Sequence, residues 1–139
     1  MRPRLLLATC IAGVVACLPA VAQQKQDRSQ GPDNLVTIIT SENAQTQLMG
    51  MVLTMQSIKA GAAAHVLLCG PGGDLALKDA PASATAEQPP KSMSPQGLMQ
   101  QIMEAGGTVE VCAIYLPGRG EDASVLLDGI TAAAPDAMA

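Results

Sequence analysis

Dense apolar runs alternate along the chain with stretches in which apolar residues recur every three or four positions. "NLVTIIT" (34–40) and "AHVLLC" (64–69) are short, β-branched or aliphatic, and too brief for helices, so they are expected to be buried strands. Between them Ala44, Leu48, Met51, Met55 and Ile58 follow helical spacing. Thr40 or Ser41 can cap that helix and Gly61 can end it. "GPGGDLALK" (70–78) is turn-rich, with room for one helical turn from Asp74 to Lys78. "DAPASATAEQPPKSM" (79–93) has no apolar period and reads as a loop long enough to be a mobile cover.

A second helix opens at Ser94 as cap with Pro95 in its first turn, shows Leu98, Ile102 and Ala105 on one face, and stops at Gly106. "TVEVCAIYL" (108–116) predicts a third strand, "GEDASVLLDG" a short helix from Glu121, and "ITAAA" a weak last strand. Strand and helix alternating in this way predict an α/β fold: a parallel, doubly wound sheet of four to five strands with helices on both faces. In such sheets working residues gather at the carboxyl ends of the strands. Cys69 closes the second strand and Cys112 lies near the end of the third.

The first 22 of the 139 residues are expected to be a secretory signal rather than part of the fold. "MRPRLLLATCIAGVVACLPAVA" runs from arginines through an apolar stretch, too short for a stable membrane span, to small residues that place cleavage after Ala22. "VVAC" offers a competing reading in which Cys17 becomes a lipidated first residue. Residues 23–33 form a polar, disordered lead, and 34–139 a single domain. This organisation places the protein in the periplasm with no membrane span.

Losing Arg2 and Arg4 takes the 8 basic residues to 6 against 12 acidic ones, a net charge of −6. That balance repels phosphate, and the chain has no Phe, no Trp and one Tyr to stack bases or sugars, so nucleic acid is excluded as a partner. A core built from aliphatics and Met alone is small, which points to a homo-oligomer.

Two cysteines in an oxidising compartment could pair. If the first strand is central, however, the strands carrying Cys69 and Cys112 stand about 9 to 10 Å apart. A disulfide needs Cα atoms within about 7 Å. Buried, inert thiols are the other structural reading. His65, Cys69 and Cys112 with Met51, Met55, Met99 and Met103 are soft enough for Cu(I), which keeps a periplasmic copper binder as an alternative. Against it, each Met pair has ordinary packing spacing, and His65 lies more than about 12 Å along a strand from Cys69. No metal ligand set and no cofactor motif follows from these spacings. "GPGGDLALK" lacks the spacing of a phosphate loop, although its amides could form an anion nest.

The layout from "LVTIITSENAQTQLMGMVLTMQ" through "LLCGPGGDLALK" to "EAGGTVEVCAIYLPGRG" and "LLDGI", about residues 34 to 134, resembles the DsrE-like family. Its most specific part is the glycine-ended helix, the strand holding Cys112, and Arg119-Gly120 after it. The resemblance implies a parallel α/β sheet, oligomeric subunits, and at Cys112 a cysteine that in sulfur-relay members carries sulfur as a persulfide. Family relays are cytoplasmic, so an exported member implies a different donor or acceptor: another protein, or a small sulfur species. A carrier cysteine must ionise, and Arg119, returned by the Pro117-Gly118 turn, is the nearby cation in sequence. The expected function is a persulfide carrier with sulfurtransferase-like character. Its alternative is a non-catalytic oligomeric scaffold in which Cys112 is merely buried.

Overall fold

The computed structural model describes residues 34–136. The expected signal segment, the Cys17 alternative, the expected polar lead and the last three residues lie outside the described residues. Four strands, β1 (Asn34–Ile39), β2 (Ala63–Leu68), β3 (Thr108–Val111) and β4 (Thr131–Ala132), form one sheet in the order β1-β2-β3-β4, with every pair parallel. The α/β class is as expected; the winding is not. β1 stands at the edge rather than in the centre, so β2 and β3 are direct neighbours.

The winding follows from handedness. Strand-to-strand crossovers are right-handed, so a chain that always steps in one direction across a sheet lays its crossover helices on one face; covering both faces requires a reversal of direction. No reversal occurs among the described strands. Helices α1 (Ala44–Lys59) and α3 (Pro95–Glu104) accordingly pack side by side on a single face. Beneath them Ile39, Val66, Leu68, Val109 and Val111 form the floor of the core, with Met51, Met99 and Ile102 supplied from the helices. The opposite parity of the strands leaves Val36 and Ile38 55% and 59% exposed. Parallel sheets are ordinarily covered on both faces, so this bare stripe is unusual for the class.

α1 is capped by Asn43, whose Oδ1 accepts the Thr46 amide, rather than by Thr40 or Ser41. Its buried stripe includes two polar residues, Gln47 and Thr54. Each has a tertiary or local partner: Gln47 Nε2 donates to the Ser41 carbonyl at 2.8 Å, and the Thr54 and Thr37 hydroxyls meet at 2.7 Å. α3 begins as predicted, with Ser94 Oγ accepting the Gly97 amide and Pro95 in the first turn, but it buries Met99 and leaves Ala105 outside.

The expected mobile cover is built into the domain. A short helix α2 (Ala82–Thr85) buries Ala84, and Gln88 and Met93 form an antiparallel bridge that seats Met93 against the core. "GPGGDLA" is a 3₁₀ helix, Gly70–Ala76, rather than a turn followed by one helical turn from Asp74. Beyond it Leu77 bridges Leu126, tying this loop to a second 3₁₀ turn, Ala123–Val125, where a helix from Glu121 was expected. No described helix is long and apolar enough to cross a membrane.

Candidate functional site

β3 stops at Val111, not at Leu116. Cys112 still donates its amide to the Leu68 carbonyl at 2.8 Å, and the chain then turns through Tyr115 N–H to the Cys112 carbonyl into α4 (Tyr115–Arg119). Cys69 does the same one strand over, donating to the Ile39 carbonyl. Leu68 is in register with Val111, so each cysteine is the first residue past the paired ladder on its own strand. Their Cα atoms are 5.1 Å apart, and the two are joined as a disulfide. The expected separation of two strand spacings is thus replaced by one spacing. The cause is the strand order: with β1 at the edge, nothing stands between the two cysteines.

The glycines after Cys69 serve close packing. A Cβ at Gly72 would overlap the Ile39 carbonyl oxygen, and one at Gly73 would overlap the Tyr115 ring. Only hydrogen at these positions lets the 3₁₀ helix sit over the strand end and lets Tyr115 lie beneath it. Beside the disulfide lies an open cleft of about 450 Å³, walled by Cys69, Cys112, Glu42, Asp74, Tyr115 and Arg119.

Tyr115 Oη donates to Asp74 Oδ1 at 2.7 Å. Burial, reinforced by that hydrogen bond and the Asp74 charge, holds the phenol well above its ordinary pKa. Arg119 donates from Nη1 to the same Asp74 oxygen at 3.2 Å and from Nε to Glu121 Oε2 at 2.7 Å, with its guanidinium 5.5 Å from the Tyr115 ring centre. Those partners, the Glu121 hydrogen bond first, raise the already high pKa of Arg119. Arg119 does line the cavity that Cys112 lines. Its charge, however, is shared between two carboxylates, and Glu42 adds a third to the wall, so the cation that the sequence offers to a Cys112 thiolate is largely offset.

Cys112 opens onto a second cavity as well. About 220 Å³ in volume, it is lined by Leu67, Cys112, Ala113, Ile114, Ala133 and Pro135 and is not touched by Cys69. Ile114, two residues past Cys112, is 81% exposed.

The soft-ligand set disperses. Met51 and Met99 are fully buried in the core, Met55 and Met103 pack against it, and His65 turns to Glu110, its Nε2 2.8 Å from Oε2. That contact does not have the geometry of a hydrogen bond. No three His, Cys, Asp or Glu side chains among the described residues are placed to hold a metal ion.

Sequence reasoning named Cys112 and Arg119, which line one cavity, but did not place Cys69, Asp74, Tyr115 and Glu42 beside them. One signal was present for Cys69: both cysteines directly follow apolar β-runs, "AHVLL" and "TVEV".

No family model matches the sequence, and no curated protein matches it. Solved structures do. The structure of a protein of unknown function, MTH1491 from Methanobacterium thermoautotrophicum, superposes with a TM-score of 0.55 at 15% identity, over 73% of this chain and 82% of that one. The ychN protein from E. coli superposes with a TM-score of 0.56 at 13% identity, over 78% of this chain and 89% of that one. At such identities the likeness speaks for architecture, and the architecture of residues 34–136 is a DsrE-like α/β fold.

Proposed function

We propose that this chain is an exported sulfur carrier of the DsrE-like type, with Cys112 as the residue that takes sulfur. The observation that carries the reading is the position of Cys112, past the carboxyl end of a parallel strand and open to a cavity, in a fold of this type. In its reduced form Cys112 attacks the outer sulfur of a persulfide donor. The new bond is Cys112 S–S, the donor's S–S bond breaks, and the donor leaves as a thiol that takes the proton. A second thiol or a small sulfur nucleophile then removes the sulfur by the reverse exchange. The leader sequence, cleaved after Ala22, delivers the protein to the periplasm, where a disulfide between Cys69 and Cys112 can form and persist.

The bare sheet stripe with Val36 and Ile38 supports a homo-oligomer, in which a second copy supplies the missing layer. If Cys112 proves inert, that same surface favours an oligomeric scaffold instead. Intact-mass measurement separates the two. Reduced protein exposed to a persulfide donor should gain about 32 Da per sulfur, removable by reductant, and Cys112→Ser should lose the gain. Uptake by Cys112→Ser at the wild-type rate would end the carrier reading.

A further inference from the structure

The oxidised pair has chemistry that a lone carrier cysteine lacks, and two cavities give that chemistry a direction. Displacement at a disulfide sulfur takes place through a thiolate-like nucleophile approaching on the side opposite the leaving sulfur. For attack at Cys112 with Cys69 leaving, the approach must come from the side of β3 facing away from β2. The second cavity reaches that side: Ala113 and Ile114 follow β3 and Ala133 and Pro135 follow β4, the next strand outward, while Leu67 of β2 closes its other end. It touches Cys112 and not Cys69, whereas the larger cavity touches both. Every residue that lines it is uncharged. A space of about 220 Å³ without a cation disfavours a doubly charged oxyanion such as sulfite or thiosulfate more than hydrosulfide, a monoanion that can enter as neutral hydrogen sulfide.

We infer that the Cys69–Cys112 disulfide is itself a sulfur-accepting state, opened at Cys112 by inorganic sulfide entering through the cavity between the ends of β3 and β4. This rests on the carrier reading and names a substrate and a redox form for it. The step balances without another oxidant. Hydrosulfide forms a bond to Cys112 Sγ, the Cys69–Cys112 bond breaks, and the proton from hydrogen sulfide ends on the Cys69 thiolate or in solvent. Sulfide is oxidised to the sulfane level as the disulfide is reduced to a Cys112 persulfide and a Cys69 thiol. Cys69 can reverse the step, expelling sulfide and restoring the disulfide, so excess sulfide holds the persulfide in place and an acceptor draws it off.

The test uses the purified full chain, oxidised, and mixed without oxygen with fresh sulfide free of polysulfide. Wild type should gain about 34 Da as one hydrogen sulfide adds across the disulfide. Peptide mapping should place the sulfur on Cys112 and not on Cys69, Cys10 or Cys17. Cys69→Ser, which cannot form the pair, should take up sulfide at least about 100-fold more slowly, yet keep the gain of about 32 Da from a persulfide donor. Ala113→Trp, at an exposed position on the cavity wall, should slow sulfide uptake about tenfold or more. The inference is overturned if oxidised wild type gains no mass, if the sulfur maps to Cys69, or if either variant takes up sulfide at the wild-type rate. Failure of Cys69→Ser to accept from the persulfide donor would instead strike at the carrier reading beneath it.

Discussion

Opening the Cys69–Cys112 bond should loosen the domain by an amount that chain statistics set. The cysteines are 43 residues apart. Closing a loop of that length removes about 13 cal/mol/K of entropy from the unfolded chain, equivalent to about 4 kcal/mol at 25 °C. This is a ceiling, because β2 and β3 already pair beside the cysteines and an unfolded chain that keeps some of that contact has less freedom to lose. We expect a loss of about 2–4 kcal/mol, which for a domain of this size lowers the melting temperature by on the order of 10–20 °C. Urea unfolding of oxidised protein, reduced protein and the Cys69→Ser/Cys112→Ser double variant measures it. Reduced protein and double variant should unfold together, below the oxidised form, with a steeper dependence on urea because the uncrosslinked chain exposes more surface. Coincident midpoints for the oxidised and reduced forms would refute the reasoning, since they would mean that the bond constrains nothing in the unfolded state.

Tyr115 is the chain's one tyrosine, so the ultraviolet phenolate band reports it alone; its titration should begin well above the ordinary phenol value of 10.0. Because the folded pKa lies above the unfolded one, the neutral phenol's contribution to stability is complete below about pH 10 and declines as pH rises beyond it. Tyr115→Phe should remove that dependence and cost about 1 kcal/mol in denaturation at neutral pH through the lost bond to Asp74. Gly72→Ala should destabilise by about 1–3 kcal/mol, since the added methyl meets the Ile39 backbone oxygen rather than a side chain that can rotate away; an unchanged urea midpoint would contradict this. Light scattering at micromolar concentration should give a multiple of the chain mass, and Ile38→Lys, on the bare sheet stripe, should lower it; a wild-type monomer would count against oligomerisation.

What the sequence determined by itself was the local structure. The β-branched run at 34–40, the capped and proline-led start at Ser94 and the terminating glycines each act on their own neighbours, and the parallel α/β class follows from their alternation. It also marked Cys112 as the residue to watch, and a DsrE-like architecture. Strand order is different in kind. It depends on which way the chain steps after each crossover, a choice made by packing between distant segments, and no residue in "AHVLLC" or "TVEVC" encodes it locally. From that one choice come the neighbouring ends of β2 and β3, the disulfide, and the single helix-covered face. The polar burial of Gln47 and Thr54 has the same origin. α1 carries apolar residues on more than one face, Met49 and Leu53 being left outside, and Ser41 and Thr37 are the partners that folding brings to the two buried polar side chains. Arg119 shows the limit most directly: nearness in sequence made it a cation for Cys112, but its charge is spent on Glu121, two residues on, and on Asp74, which only the fold brings from 45 residues away.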